Sequence, residues 1–408
     1  MRSLELFAGS GGLLIGAHAA GFRPVAAFEW NRNACATLEA NLSKIGLVST
    51  FVVSGDVREH SFEKFAGAGV AAIFGGPPCQ PFSIGGKHQG VADSRDMFPH
   101  AIRAVSESAP VAFCWENVRG LLRPAFSEYF DYILRRSRFP SVVRVGDEPW
   151  QHHLARLESL EHAKSKPALQ YHVTHRLFNA ADFGAPQLRY RVFIVGVRSD
   201  HPTPFRFPTP SHSRDALLYD MWVSGEYWER HRIAKRHRPE MDSRVASQVA
   251  RLRSQLRELM GNPWRTVRDA LADLPEPTRV ASRRYSGHLL NPGAKAYPGH
   301  DGSPLDWPSK ALKAGDHGVP GGENMIRRVD GSVRYFTARE AARIQCFPDT
   351  WEFSGAWSEA MRQLGNAVPC ALASAVASEI YATLSCPSPV RSAKPRTHSG
   401  KRPRVPGR

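Results

Sequence analysis

The chain has 408 residues, which is long for one ordinary domain and predicts two folded parts. Its formal net charge of +16 favours a polyanionic partner such as nucleic acid, and its six cysteines, none in a C-x-x-C pair, argue against a zinc site or a disulfide framework. No apolar run approaches the length of a membrane span, and no signal peptide precedes the first strand-like run, so we expect a cytoplasmic protein.

Strand and helix signals alternate along the first part of the chain. Strands are predicted at 3–7, 25–29, 51–53, 70–74 and 111–115, with helices at 13–20 and in the stretch that ends at Asn41. Two further strands, 172–178 and 191–197, are predicted to form a hairpin around residues 184–186. This rhythm indicates an α/β fold, with a doubly wound and mostly parallel sheet covered by helices.

The character of the sequence changes near Ser199, where the alternation stops. Residues 230–284 hold fourteen Lys/Arg against six Asp/Glu, and residues 246–260 predict one amphipathic helix. A helix is predicted to begin at Thr337, because Thr337 and Glu340 have the spacing of a capping box. Residues 370–384 predict a last apolar helix. The final residues are rich in Lys, Arg and Pro, which is typical of a disordered basic tail that either binds phosphates or only aids solubility.

A glycine-rich turn joins the first predicted strand to the first helix. Residues 7–12 read Phe-Ala-Gly-Ser-Gly-Gly, and such turns let a ligand lie against bare backbone. The turn lacks the Lys-Ser/Thr ending of a P-loop, which argues against a nucleoside triphosphate. At the next strand ends, the Glu29 carboxylate could bind two ribose hydroxyls and Trp30 could lie on an adenine face. Asp56 could accept a hydrogen bond from an exocyclic amine.

Each of these signals is weak alone, because the glycines also suit a plain turn and Trp30 also suits a core. Their order at three successive strand ends favours a ligand pocket, since open α/β sheets bind ligands there. The set describes a pocket for an adenosine without a phosphate chain, and S-adenosylmethionine is the obvious candidate.

Cys79 lies in the run Phe-Gly-Gly-Pro-Pro-Cys-Gln-Pro-Phe-Ser, directly after the fourth predicted strand. Two prolines fix φ ahead of the sulfur, and two glycines let the backbone approach another group closely. A nucleophile needs such placement, although the run alone is equally typical of a tight turn. Cys79 is therefore the candidate nucleophile.

Six blocks, in their order along the chain, resemble the DNA (cytosine-5)-methyltransferases. They are residues 7–12, Pro-Pro-Cys-Gln-Pro-Phe-Ser at 77–83, Glu-Asn-Val at 116–118, Gln-Leu-Arg-Tyr-Arg at 187–191, Arg-Glu-Ala-Ala-Arg-Ile-Gln at 339–345, and Gly-Asn-Ala-Val-Pro at 365–369. The resemblance implies an S-adenosylmethionine-dependent, Rossmann-like sheet with one reversed strand, and a smaller target recognition domain. We expect a catalytic domain at 1–198, recognition at 199–333, a return to the catalytic domain at 334–385, and the tail at 386–408.

The resemblance also implies roles for single residues. Cys79 would add to C6 of a flipped-out cytosine, Glu116 would donate at N3, Arg191 would steady the base, and Arg189 would support it. DNA would contact the loop that follows the cysteine, through Gln80, Ser83, Lys87 and His88. S-adenosylmethionine would be held, without a metal, by residues of the glycine turn, the strand ends and the last block: Phe7, Ala8, Gly9, Gly11, Gly12, Glu29, Trp30, Asp56, Val57, Pro77, Asn366 and Val368. Asn366 and Val368 would pack beside the turn at 7–12.

The expected activity is methylation of duplex DNA by a monomer, either in a restriction-modification system with a possible cognate endonuclease or alone, as an enzyme that writes epigenetic marks. One rival is the same chemistry on tRNA cytosine, against which the long basic segment argues. A second rival is a DNA-binding protein with a silent site, against which the joint presence of Cys79, Glu116 and Arg191 argues.

Overall fold

The structure, a computed structural model, describes residues 1–78, 96–314 and 322–386. Its main sheet has seven strands: β1 (Arg2–Leu6), β2 (Arg23–Glu29), β3 (Phe51–Ser54), β4 (Val70–Gly75), β5 (Ala112–Val118), β6 (Tyr171–Asn179) and β7 (Tyr190–Arg198). Their order is β3-β2-β1-β4-β5-β7-β6, and β7 runs antiparallel to both of its neighbours. The predicted α/β sheet with one reversed strand is confirmed.

Helices cover both faces of this sheet. The first five are α1 (Gly12–Ala19), α2 (Arg32–Asn41), α3 (Phe98–Ser108), α4 (Ser127–Arg138) and α5 (Trp150–His162). Side chains alternate across the strands, so Leu4 and Ile73 belong to the core that α3, α4 and α5 cover. Phe74 and Phe193 belong to the core on the other face, beneath α1. Both faces are apolar because the parallel strands are buried on both sides.

Short elements follow the main sheet. They are β8 (His212–Ser213), α6 (Arg214–Trp222), α7 (Glu226–Arg230), α8 (Ser243–Leu252), β9 (Asn262–Pro263), α9 (Val267–Leu271), α10 (Arg279–Arg284), β10 (Ser303–Pro304), β11 (Met325–Arg327) and β12 (Val333–Tyr335). This region has a small core of its own, in which Leu217, Met221, Tyr227 and Trp228 pack together.

The single helix predicted at 246–260 is wrong. α8 begins at Ser243 and ends at Leu252, and a separate 3₁₀ turn spans Arg257–Met260. The chain turns there because the Arg257 guanidinium binds the buried Asp220 carboxylate at 2.9 Å and the carbonyl of Gly261. The apolar periodicity that suggested a longer helix continues into Leu259, which is 82% exposed.

Three helices end the described chain: α11 (Ala338–Ile344), α12 (Trp357–Asn366) and α13 (Cys370–Ser385). The predicted capping box is confirmed, since Thr337 accepts from the Glu340 N–H while the Glu340 side chain accepts from the Thr337 N–H. By length and composition alone, residues 357–385 are long and apolar enough for a membrane span. They form two helices, however, and α13 packs against α1 over the sheet, as a core helix does.

Candidate active site

The glycine turn between β1 and α1 is shaped by backbone that most side chains disfavour. Phe7 has a φ of 54°, Gly9 a φ of 54°, and Gly11, the N-cap of α1, a φ of 93°. A bulky residue such as Phe7 rarely adopts a positive φ, and such outliers cluster at ligand sites. The Ala8 N–H donates to the Phe28 carbonyl at 3.0 Å, which fixes the turn to β2.

The glycines of the turn have different surroundings. A Cβ on Gly12 would lie 2.3 Å from the carbonyl oxygen of Val368, so this glycine allows the residues just before α13 to pack on the start of α1. A Cβ on Gly11 would lie 3.0 Å from Trp351. A Cβ on Gly9 would meet no atom of the described residues within 4 Å. The turn is therefore closed behind Gly12 and open above Gly9, where a ligand has room.

Glu29 ends β2 and is directed at this turn. Its Oε2 accepts from the Gly9 N–H at 2.7 Å, and its Oε1 accepts from the Asn31 N–H at 2.8 Å. Burial raises the pKa of Glu29, while the backbone hydrogen bonds oppose that shift. Because each carboxylate oxygen can accept more than one hydrogen bond, Glu29 can still accept hydrogen bonds from ligand hydroxyls.

Trp30 and Asp56 lie at the same edge of the sheet. Trp30 is 74% exposed, so the alternative that it belongs to a core is wrong. Asp56 follows β3, caps a 3₁₀ turn by accepting from the Arg58 N–H at 2.9 Å, and pairs with the Arg58 guanidinium at 2.5 Å. That pairing lowers the pKa of Asp56. The next residue, Val57, is buried.

Glu116 and Arg191 form a close ion pair between β5 and β7. The distance from Arg191 Nε to Glu116 Oε1 is 2.5 Å, and both side chains are largely buried, at 13% and 9% exposed. Burial raises the pKa of Glu116, and the nearby Arg191 and Arg189 oppose this shift. The backbone after β4 lies against the carboxylate, because a Cβ on Gly76 would be 3.1 Å from Glu116 Oε2.

Arg189 is buried, and its guanidinium hydrogen-bonds backbone carbonyls. Its guanidinium donates to the carbonyls of Leu312 at 2.8 Å and of Gly365 at 2.5 Å. Nearby, Gln187 donates to Gln345 at 3.0 Å and accepts from the Leu312 N–H. The block at 187–191 therefore joins β7 to the segment that ends at 314 and to the Gly-Asn-Ala-Val block, in which Asn366 is exposed.

Asn117 has a contact that the sequence did not reveal. Its buried side chain donates to the Pro77 carbonyl at 2.9 Å, and the Met97 N–H donates to the Pro78 carbonyl at 3.1 Å. The two prolines ahead of the predicted nucleophile are thus anchored to β5 and to the start of α3. The only sequence feature that pointed to a role for Asn117 was its position in the Glu-Asn-Val block.

Several predicted residues lie outside the described residues. They are Cys79, Gln80, Ser83, Lys87 and His88, together with the tail from 387 onward. Within residues 1–78, 96–314 and 322–386, no group of three His, Cys, Asp or Glu side chains is placed to hold a metal ion.

The sheet order and the open turn at the carboxyl ends of its strands define an α/β protein of the methyltransferase type. The chain matches the family described as C-5 cytosine-specific DNA methylase over residues 1–138 and 156–382. It is 31% identical to the Type II methyltransferase M.NgoMIV of Neisseria gonorrhoeae over 94% of this chain and 97% of that protein. It is 32% identical to the Type II methyltransferase M.AquIA of Picosynechococcus over 68% of this chain and 90% of that protein.

Solved structures share the fold. A prophage-encoded protein of E. coli, proposed to be a DNA modification methyltransferase, superposes with a TM-score of 0.58 at 22% identity, covering 94% of this chain and 99% of that chain. The chain therefore belongs to the C-5 cytosine-specific DNA methylase family. Its fold is that of an S-adenosylmethionine-dependent methyltransferase, as the sequence predicted.

Proposed function

We propose that the chain is a DNA (cytosine-5)-methyltransferase that moves a methyl group from S-adenosylmethionine to C5 of a flipped-out cytosine in a specific duplex sequence. The observation that carries this proposal is the Glu116–Arg191 pair, with its N···O distance of 2.5 Å, against the backbone at Gly76 that leads to Cys79. The similarity to Type II methyltransferases supports a restriction-modification role, with a possible partner endonuclease.

The residues around the glycine turn fit S-adenosylmethionine, which would supply an electrophilic methyl group. The space above Gly9 admits a ligand, Glu29 is fixed beside it by two backbone hydrogen bonds, and Trp30 offers an exposed ring face. The Asp56 carboxylate is held by Arg58, which keeps it ionised and able to accept from an amine. Val57 and Pro77 would contribute apolar contacts to this site, and the Val368 carbonyl lies against Gly12 behind the turn.

The proposed chemistry begins at Cys79, because C5 of cytosine is a poor nucleophile. Addition of the thiolate to C6 makes C5 electron-rich and divides one difficult step into easier ones. Negative charge then develops at N3, where Glu116 would donate a proton. The raised pKa of Glu116, which is caused by burial, suits a carboxyl group that must be protonated to act. After methyl transfer, loss of the C5 proton lets the sulfur leave.

Arg191 and Arg189 have separate tasks in this proposal. Arg191 is the nearer cation to Glu116, so it would orient the carboxyl group and steady the base. Arg189 hydrogen-bonds two backbone carbonyls and would support the site from behind. Residues 199–333 would read the DNA sequence from the groove, while Gln80, Ser83, Lys87 and His88 would contact the strand from which the cytosine is flipped.

Labelled methyl transfer tests this proposal. Purified protein is incubated with S-adenosylmethionine and either unmethylated phage DNA or unmodified tRNA, and methylated DNA is mapped by bisulfite sequencing. We expect label in DNA at one short sequence, in the 5-methylcytosine fraction. Label confined to tRNA would favour the RNA methyltransferase, and binding to DNA without label in either substrate would favour the silent DNA-binding protein.

A further inference from the structure

A stacked pair of side chains lies at the carboxyl edge of β5, beside the Glu116–Arg191 pair. The guanidinium carbon of Arg119 is 5.3 Å from the ring centroid of Tyr190. β5 and β7 pair in antiparallel register as far as Val118 and Arg191, and Arg119 and Tyr190 occupy the next position on each chain. The pair therefore lies one position beyond the last paired residues of β5 and β7, where the chain after β5 begins a 3₁₀ turn at Arg119.

The backbone of Tyr190 is fixed, whereas the end of the Arg119 side chain is free to bind. The Tyr190 carbonyl accepts a hydrogen bond from Arg191 at 2.9 Å, and Tyr190 pairs with Asn179 of β6. The tyrosine is nevertheless 40% exposed, and Arg119 is exposed. Across residues 1–78, 96–314 and 322–386, no hydrogen bond or ion pair involves the Arg119 guanidinium. The guanidinium lies over the ring while its N–H donors remain unused.

A planar guanidinium with unused donors matches phosphate, to which it binds through two parallel hydrogen bonds. Arg191 is less suited, because its side chain is 13% exposed and already pairs with Glu116. A flipped base is joined to its own backbone phosphates by a single sugar, so a base that enters the site brings phosphate to its mouth.

We propose that Arg119, held on the ring of Tyr190, binds a backbone phosphate of the nucleotide whose base enters the site. This inference rests on the proposed function. It assigns Arg119 as a DNA-binding residue and Tyr190 as the residue that positions it. A contact of this kind is independent of base identity, so it would hold the target nucleotide without contributing to sequence choice.

Variants of both residues test the assignment, with Lys64 as a matched control. Lys64 is also an exposed cation over an aromatic ring, 5.2 Å from the centroid of Phe65, but it lies in the connection between β3 and β4 rather than at the end of β5. Affinity for a duplex carrying the sequence mapped by bisulfite sequencing is measured against salt concentration for Arg119→Ala, Arg119→Lys, Tyr190→Ala and Lys64→Ala. Thermal melts confirm that each variant folds.

Arg119→Ala is expected to weaken binding roughly tenfold and to reduce the slope of log affinity against log salt by about 0.9, which corresponds to one phosphate contact. Arg119→Lys keeps the charge, so it should keep the slope while losing affinity. Tyr190→Ala should weaken binding, and Lys64→Ala should match the wild type. An Arg119→Ala slope equal to that of the wild type would overturn the inference. Absence of any methylated sequence in wild-type DNA would instead contradict the proposed function.

Discussion

Glu29 contacts two segments of the proposed cofactor site. Its carboxylate accepts from the Gly9 N–H at 2.7 Å and from the Asn31 N–H at 2.8 Å. Glu29→Ala removes the proposed ribose contact and both of these hydrogen bonds, so we expect S-adenosylmethionine binding to weaken by about 1–3 kcal/mol. Titration calorimetry measures this change. Glu29→Gln is the control, because it keeps an acceptor oxygen and should lose less. Unchanged affinity in Glu29→Ala would show that another group holds the ribose.

Glu116 predicts a pH dependence, because its pKa is raised by burial. As the proposed acid at N3, it must be protonated, so kcat/KM should fall as the pH rises through that raised pKa. Glu116→Gln cannot titrate, so we expect a rate lower by roughly 10²–10⁴ that has lost this alkaline limb. Rate profiles for wild type and variant, each with stability checked by thermal melting across the same pH range, measure the effect. A variant that retained the same alkaline limb would assign the titration to another group.

Residue positions in the site were predicted better than residue contacts. The strand-end positions of Glu29, Trp30 and Asp56 follow from the α/β rhythm, which places successive carboxyl ends at one edge. The Arg58 partner of Asp56 could not be predicted, because the sequence does not reveal side-chain direction in a turn. The hydrogen bond from Asn117 to Pro77 joins residues 40 positions apart, and it depends on β4 and β5 being neighbours.

At the scale of elements, two parts of the glycine turn can be tested separately. One is its junction with the chain before α13, and the other is its open side above Gly9. Gly12→Ala places a Cβ 2.3 Å from the Val368 carbonyl, and such overpacking costs about 1–3 kcal/mol of unfolding free energy. Gly9→Ala meets no described atom within 4 Å, although its φ of 54° adds strain of about 1 kcal/mol.

We therefore expect Gly12→Ala to lower the denaturant midpoint more than Gly9→Ala does. Gly9→Ala should show the larger loss of S-adenosylmethionine affinity relative to its loss of stability, because its methyl group projects into the proposed ligand space. Urea unfolding and calorimetry on both proteins give the comparison. Equal ligand affinity for Gly9→Ala and wild type would show that the cofactor does not lie over this turn.

Elements with strong periodicity were predicted well, and elements set by tertiary contacts were not. Strands such as β1 and β7 were found within a residue or two, because their apolar runs are bounded by turn residues. The hairpin predicted around residues 184–186 made β6 and β7 antiparallel, and the presence of one reversed strand came from the family resemblance, but neither indicated that β7 is the reversed one. α8 ends early because Arg257 turns toward Asp220, a contact 37 residues apart in sequence that the apolar pattern does not contain.

For the whole molecule, the central question is how positive charge is divided between non-specific DNA binding and sequence recognition. Residues 387–408 hold seven Lys/Arg, and residues 230–284 hold fourteen Lys/Arg against six Asp/Glu. If the tail binds phosphates only, its deletion should weaken binding to every duplex alike and make the salt dependence shallower, without changing the methylated sequence. Salt titrations on specific and random duplexes measure the first effect, and bisulfite sequencing measures the second. A changed target sequence after deletion would assign base reading to the tail.

The most direct measurement is covalent trapping on a duplex with 5-fluorocytosine at the mapped target position. Fluorine cannot leave as the C5 proton does, so the adduct formed by the nucleophile should persist in the presence of S-adenosylmethionine. We predict a denaturation-resistant protein–DNA band that peptide mapping assigns to Cys79, that Cys79→Ala abolishes, and that Cys386→Ala, which removes an exposed free cysteine, leaves intact. Cys79→Ala should still bind the duplex. Methyl transfer by Cys79→Ala, or an adduct at another residue, would contradict the assignment of Cys79 as the nucleophile.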